Sequence, residues 1–168
     1  SEMCIRDRLS EMKYLIGLIL LLVTGCSVKQ RETESKVIVI QPFGDFPDVS
    51  YTDVISKIRK INPNIKIRAN IPLPDQAFYK PRQRYRADSL ISHLRQMIGK
   101  DSVIVGLTEK DISTTKGGHK DWGIMGLGYC PGSACVVSMY RLRNNKEEQF
   151  HKVVLHELGH TEGLPHCN

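Results

Sequence analysis

The residues best suited to chemistry lie near the end of the chain, in the run His156-Glu157-Leu158-Gly159-His160-Thr161-Glu162-Gly163-Leu164-Pro165-His166. Two histidines four positions apart lie on one face of a helix, so both imidazoles can reach one metal ion. Gly163 accepts the left-handed backbone that ends a helix sharply, which would return the last histidine to the same ion. The pattern predicts a zinc site with three nitrogen ligands, His156, His160 and His166.

A site of this kind predicts hydrolytic chemistry. Three protein ligands leave the fourth position of a zinc ion open for water, whose pKa zinc lowers toward about 7. Glu157 is placed to take the proton of that water and to pass it to a leaving amine, so the predicted reaction is hydrolysis of a peptide bond. The alternative is a helix with stray histidines. Five matching positions, each of a residue type present at a few per cent, would arise by chance in roughly one chain in 10⁵.

The motif requires a helix, and the sequence from Lys146 to about Gly163 predicts one, with apolar residues at Phe150, Val154 and Leu158. Hydrophobic periodicity predicts the other elements: strands over 37–40, 65–71, 103–107, 123–129 and 134–139, helices over 49–61 and 84–98, and a polar loop over 113–120. This order of elements predicts the α/β (α+β) class, with a mixed twisted sheet that carries helices.

The extended motif is the metzincin signature. With Cys167 directly after the last histidine, Gly126, and the strings 105–112 and 136–142, the chain resembles the archaemetzincin branch of these peptidases from about Val37 onward. The resemblance implies a zincin/metzincin-like fold, peptidase activity on peptides or proteins, and one catalytic Zn²⁺. It also implies roles for four residues: His156, His160 and His166 as zinc ligands and Glu157 as the general base.

The sequence departs from that family in two ways. Metzincins have a methionine turn beyond the third histidine, whereas all five methionines here precede the motif. Archaemetzincins also hold a second, structural zinc with downstream cysteines, which this chain, ending at Asn168, does not support. We expect a fragment that lacks its C-terminal part, or else a shortened form with impaired activity. The alternative function is a non-catalytic, zinc-containing envelope lipoprotein that binds peptides or proteins, although the retained Glu157 favours catalysis.

The start of the chain predicts export. Lys13 precedes ten mostly apolar residues, 14–23, which is typical of a signal peptide because a membrane-spanning helix needs about 20. Val23-Thr24-Gly25-Cys26 resembles the bacterial lipoprotein cleavage box, which implies lipidation of Cys26. The predicted organisation is a non-native leader over 1–11, a lipoprotein signal peptide over 12–25, a tether over 26–36 and a metzincin-like catalytic domain over 37–168. The expected location is the bacterial cell envelope, anchored to the membrane and either periplasmic or surface-facing.

Composition and charge limit the number of domains and the kinds of partner. A chain of 168 residues that is 40% hydrophobic supports one domain and excludes a disordered chain. The net charge of +6 includes a basic cluster, Lys80, Arg82, Arg84 and Arg86, but no nucleic-acid motif accompanies it. We therefore predict a solvated basic face and no nucleic-acid partner.

Two shorter features have open interpretations. Cys130 and Cys135 flank a turn, where they could form a disulfide in an exported protein or remain free thiols. The apolar run Gly123–Tyr129 could be an edge strand on which an extended peptide substrate lies, or an ordinary interior strand.

Overall fold

Buried β-branched strands form the centre of the larger of two sheets. In the computed structural model, residues 35–143 and 145–166 are described, and the compact unit that contains them begins at Ser35. Its elements are strands β1 (Val37–Pro42), β2 (Ile65–Ile67), β3 (Phe78–Tyr79), β4 (Arg84–Arg86), β5 (Ser102–Thr108), β6 (Ile112–Lys116), β7 (His119–Ile124), β8 (Gly126–Gly128) and β9 (Ala134–Ser138), and helices α1 (Asp48–Arg59), α2 (Ala87–Arg95) and α3 (Lys146–Thr161).

Both sheets mix parallel and antiparallel pairs. The larger sheet has the order β2-β1-β5-β9-β8, parallel except for β8, which pairs antiparallel with β9 at one edge. The smaller sheet has the order β3-β4-β6-β7, in which only β4 and β6 are parallel. The predicted α/β (α+β) class, with mixed strands carrying helices, is confirmed.

The larger sheet separates two apolar cores, because successive side chains of a strand point to opposite faces. Ile38 and Ile40 of β1 face α1 and α3, whereas Val39 faces α2. On the first face, Phe150 of α3 is fully buried, and its ring centroid lies 5.6 Å from that of Phe46. Helix α3, which carries the histidine motif, is thus fixed to the sheet by its apolar side.

The predicted loop over 113–120 is wrong, because these residues form most of a hairpin between β6 and β7. Thr114 pairs with Trp122, and Gly117 takes a left-handed φ of 57° at the turn. The pattern was misleading because the outer part of the hairpin is exposed on both faces, so no apolar alternation marks it.

The predicted helix over 84–98 is shorter than expected, and its first three residues form β4. The basic cluster over 80–86 is only in part the solvated face predicted from the sequence, in which Lys80 and Arg82 are exposed. Arg84 and Arg86 are partly buried, and Arg84 Nη1 donates to Asp121 Oδ2 at 3.0 Å. These ion pairs hold the segment in the smaller sheet.

The two cysteines at the β8–β9 turn do not form the disulfide considered above. Both thiols are free. Cys135 belongs to the core between the larger sheet and α3, whereas Cys130 is exposed in the turn, so the two side chains lie in different environments.

The predicted leader over 1–11, the signal peptide over 12–25, Cys26 and nearly all of the tether lie outside the described residues, as does Cys167. Across 35–143 and 145–166, no helix is long and apolar enough to cross a membrane.

Candidate active site

Helix α3 and the turn after it bring three histidines together. His156 and His160 lie on α3, and His166 lies beyond its end. Their ring centroids are 4.5 Å (156–160), 5.0 Å (156–166) and 4.5 Å (160–166) apart. One ligand nitrogen from each ring lies within 4.8 Å of the others. The spacing predicted for a common metal ion is therefore present.

The turn that returns His166 to the cluster is a Schellman motif. Gly163 adopts a φ of 89°, and its N–H donates to the His160 carbonyl at 2.9 Å. The N–H of Leu164 donates to the Gly159 carbonyl at 3.1 Å. These two bonds satisfy the last carbonyls of the helix and reverse the chain. The role predicted for Gly163 follows from its left-handed backbone.

The hydrogen bonds of His160 fit a metal ligand. Its Nδ1 lies 2.7 Å from the Leu164 carbonyl oxygen, and since a carbonyl only accepts, Nδ1–H is the donor. In the neutral ring the lone pair is then on Nε2, which lies 3.1 Å from His156 Nε2. A backbone partner that fixes the tautomer is what metal-ligating histidines usually have. The three nitrogen donors fit zinc, which imidazole binds well.

The environment of His156 favours the neutral, ligating form. Burial lowers the pKa of its imidazole, and the nearby His160 and His166 lower it further, because a second positive charge in the cluster would be repelled. A neutral imidazole is the form that can bind a metal ion.

Glu157 lies beside the histidines in a pocket of low exposure, with 8% of its surface accessible. Burial raises the pKa of its carboxyl, while His160 and the N–H of Gly128, which donates to it, act in the opposite direction. Strand β8 makes room for this side chain through its glycines. A Cβ at Gly126 would lie 2.7 Å from Glu157 Cγ, and one at Gly128 would lie 2.6 Å from the Glu157 carbonyl oxygen.

A cleft of about 690 Å³ opens at this cluster. Its walls come from the β6–β7 hairpin, β8 and α3, and its lining includes His156, Glu157, His166, Trp122, Met125, Gly126 and Arg141. The cleft is open rather than enclosed, which suits a substrate that extends beyond it.

The other described histidines stay outside the cluster. His151 Nδ1 lies 2.9 Å from Asp53 Oδ2, and His119 packs beside Trp122. Reasoning from the sequence did not identify Trp122 or Arg141 as cleft residues. Trp122 lies between the predicted loop and the predicted strand, and Arg141 lies in the string 136–142, which was used only for the family resemblance. Only the fold shows that both line the cleft beside α3.

Comparison with known proteins decides the family. The model of peptidase family M54 matches residues 47–168. The chain belongs to peptidase family M54. Its relatives include the archaemetzincin of Natronomonas pharaonis, 29% identical over 143 residues that cover 77% of this chain and 80% of the relative. The archaemetzincin of Methanopyrus kandleri is 37% identical over 99 residues, 56% of this chain and 54% of that protein.

Solved structures of M54 proteins have the same fold. The archaemetzincin structure from Methanopyrus kandleri matches with a TM-score of 0.66 and 29% identity, covering 80% of this chain and 78% of the other. That from Archaeoglobus fulgidus, in complex with malonate, gives a TM-score of 0.61 and 25% identity, covering 78% and 80%.

Family membership confirms the predicted activity and cofactor. The protein is an archaemetzincin-like zinc-dependent metallopeptidase that acts on peptide or protein substrates. The predicted non-catalytic alternative is not favoured, since M54 is a family of peptidases.

Proposed function

We propose that His156, His160 and His166 hold the zinc ion of this peptidase and that Glu157 is its general base. The observation that carries this assignment is the convergence of three imidazole nitrogens within 4.8 Å, next to a carboxylate that is only 8% exposed. A zinc ion held there would supply a Lewis acid and a water that ionises near neutral pH.

In this assignment Glu157 moves the proton. Its carboxylate accepts a proton from the attacking water and later donates it to the leaving amine nitrogen. Burial, which raises its pKa, suits both roles because it brings proton affinity closer to the working pH. The N–H of Gly128 orients the carboxylate and favours its charged form before the proton arrives.

We propose that β8 aligns the substrate. It is an edge strand of the larger sheet, paired on one side with β9. Its first residue, Gly126, and the preceding Met125 line the cleft. An extended peptide can add to such an edge through main-chain hydrogen bonds. N-methylation of the substrate backbone next to the scissile bond is expected to raise KM, and an unchanged KM would exclude strand addition.

The zinc assignment is tested by metal stoichiometry. Elemental analysis of the purified full chain is expected to give one zinc per chain, which His156→Ala, His160→Ala or His166→Ala removes. His93→Ala is the matched control, because His93 lies outside the cluster, and it should keep the metal. Zinc retained by all three ligand variants would contradict the assignment.

We further propose that the protein is a membrane-anchored lipoprotein of the bacterial envelope, lipidated at Cys26. The support is the sequence itself, in which an apolar segment ends in Val23-Thr24-Gly25-Cys26. Mass spectrometry of protein expressed in a bacterium should detect a diacylated Cys26, and Cys26→Ser should move the protein from the membrane fraction to a soluble one. An unmodified Cys26 in a mature, soluble protein would contradict this location.

A further inference from the structure

The substrate cleft has an excess of positive charge that peptide hydrolysis does not by itself require. Three basic side chains line it, Lys116, Arg141 and Lys152, of which Lys152 is paired with Glu148, its Nζ lying 2.6 Å from Glu148 Oε1. Glu157, assigned above to proton transfer, is the one carboxylate in that lining across the described residues. The cleft is therefore electrostatically suited to an anionic group.

Arg141 is the most firmly placed of the three cations. Its Nε donates to Asp111 Oδ1 at 2.7 Å, and its Nη2 donates to Asp111 Oδ2 at 2.9 Å. The guanidinium also lies against the backbone of Gly123, where a Cβ would overlap it. A guanidinium fixed by a bidentate pair loses little further freedom when it binds a second anion.

Part of the Arg141 guanidinium remains available to bind a ligand. Neither bond to Asp111 uses Nη1, and Arg141 makes no other side-chain hydrogen bond among residues 35–143 and 145–166. The side chain is 33% exposed and lines the cleft. Nη1–H is thus a donor without a protein acceptor among these residues.

The carboxylates of the surrounding network do not neutralise all of its arginines. Arg84 Nε also lies 2.7 Å from Asp111 Oδ2, so one carboxylate serves two guanidinium groups. The surrounding ion-pair network contains four arginines and three aspartates: Arg82, Arg84, Arg86 and Arg141 with Asp88, Asp111 and Asp121. One positive charge is in excess, and Arg141 is the arginine of this network that lines the cleft.

We propose that Arg141 binds a carboxylate of the peptide substrate, so that the enzyme selects acidic or C-terminal segments. This inference rests on the proposed function, because it takes the cleft as the substrate site. The carboxylate has two sources, an Asp or Glu side chain or the C-terminus of the peptide. A charge-assisted hydrogen bond in a partly desolvated cleft is worth roughly 10-fold or more in affinity.

The experiment measures binding separately from turnover. Trp122 is the sole tryptophan of the chain and lines the cleft, so its fluorescence reports occupancy. Three matched peptides are titrated into the full-length Glu157→Gln variant, with and without zinc. The first has an internal Glu and an amidated C-terminus. The second has Gln in place of that Glu and the same amide, and the third has Gln and a free C-terminus. Wild-type cleavage of the neutral amidated peptide is measured in parallel.

The expected result is a dissociation constant at least about 10-fold lower for the peptide that carries the preferred carboxylate. Tighter binding of the internal Glu peptide identifies a side-chain carboxylate, and tighter binding of the free C-terminus identifies a terminal one. The preference should weaken at high salt, since screening reduces such contacts. Equal affinity for all three peptides, with the neutral one cleaved, would overturn this inference alone. Absence of both binding and cleavage would overturn the proposed function as well.

Variants locate the preference on one residue. Arg141→Met should remove the preference, so that the three peptides bind with equal affinity, and Arg141→Lys should restore part of it. Arg59→Met removes the same charge from an exposed position on α1 that does not line the cleft, and it should keep the preference. A preference that survives in a folded Arg141→Met protein would overturn the proposal. The wild-type comparison stands even if that variant fails to fold.

Discussion

The carboxylate of Glu157 occupies the space that a side chain at Gly126 would need. A Cβ on Gly126 would lie 2.8 Å from Glu157 Oε1 and 2.7 Å from its Cγ. Strand β8 therefore sets the position of the carboxylate that we propose as the general base, although the strand is about 30 residues away in sequence.

Gly126→Ala is expected to displace the Glu157 carboxylate, since contacts that short are not tolerated between real atoms. We expect kcat/KM to fall roughly 10- to 100-fold, because small misplacements of a reacting group are costly. Zinc content should stay at the wild-type value. Gly99→Ala is the control, as a Cβ there meets nothing within 4 Å. Equal activity of both alanine variants would contradict the positioning role of Gly126.

The two described cysteines should differ in reactivity. Burial raises the pKa of the Cys135 thiol, and the nearby Glu157 carboxylate raises it further, so Cys135 stays protonated. Cys130 is exposed in the turn. Iodoacetamide followed by peptide mapping should label Cys130 in the native protein and Cys135 only after unfolding in urea. Equal labelling rates in the native state would contradict the buried position.

Phe150 anchors the catalytic helix. Its side chain is fully buried against Phe46, and Phe150→Ala should lower the free energy of unfolding by about 3–5 kcal/mol through the cavity it leaves. Urea denaturation measures this change. Gln149→Ala, an exposed position of the same helix, should alter stability by less than about 0.5 kcal/mol. Similar losses in both variants would show that α3 is not held by this contact.

Ionisation of Asp121 should make the stability of the protein depend on pH in the acid range. Burial raises its pKa, but the Ser113 hydroxyl and the guanidinium groups of Arg84, Arg82 and Arg86 outweigh burial and hold the pKa below its usual value. Because the pKa of Asp121 is lower in the folded than in the unfolded protein, where it is about 3.9, the ionised carboxylate stabilises the fold at pH values above about 3.9. This stabilisation is lost as the pH falls through the folded-state pKa.

Asp121→Asn should therefore lower Tm by a few degrees at pH 7, and the difference from wild type should shrink once the wild-type carboxyl is protonated in acid. Asp45→Asn, at an exposed position, is the control and should leave Tm nearly unchanged at both pH values. A Tm difference for Asp121→Asn that is the same at pH 7 and at pH 2 would exclude the ionic contribution.

The features of this molecule that depend only on neighbouring residues could be predicted from the sequence. The long amphipathic α3, the histidine spacing and the glycine that ends the helix are all local properties, and the structure contains each of them. The hairpin of β6 and β7 was missed because its exposed residues carry no apolar alternation.

The contacts that define the cleft depend on tertiary packing instead. Gly126 touches Glu157, and Arg141 touches both Gly123 and Asp111, only because β7, β8 and α3 meet in the fold. No spacing rule connects residues that lie about 20 to 30 positions apart on different elements, so these contacts became visible only in the structure.

The assignment of Glu157 as the base of a zinc peptidase is tested most directly by kcat/KM of the zinc-loaded full chain and its Glu157→Gln variant on the same peptide, with zinc measured in both. We predict one zinc per chain in each protein and a fall in kcat/KM on the order of 10²–10⁴ in the variant. A Glu157→Gln protein that keeps its zinc and cleaves at the wild-type rate would contradict the assignment.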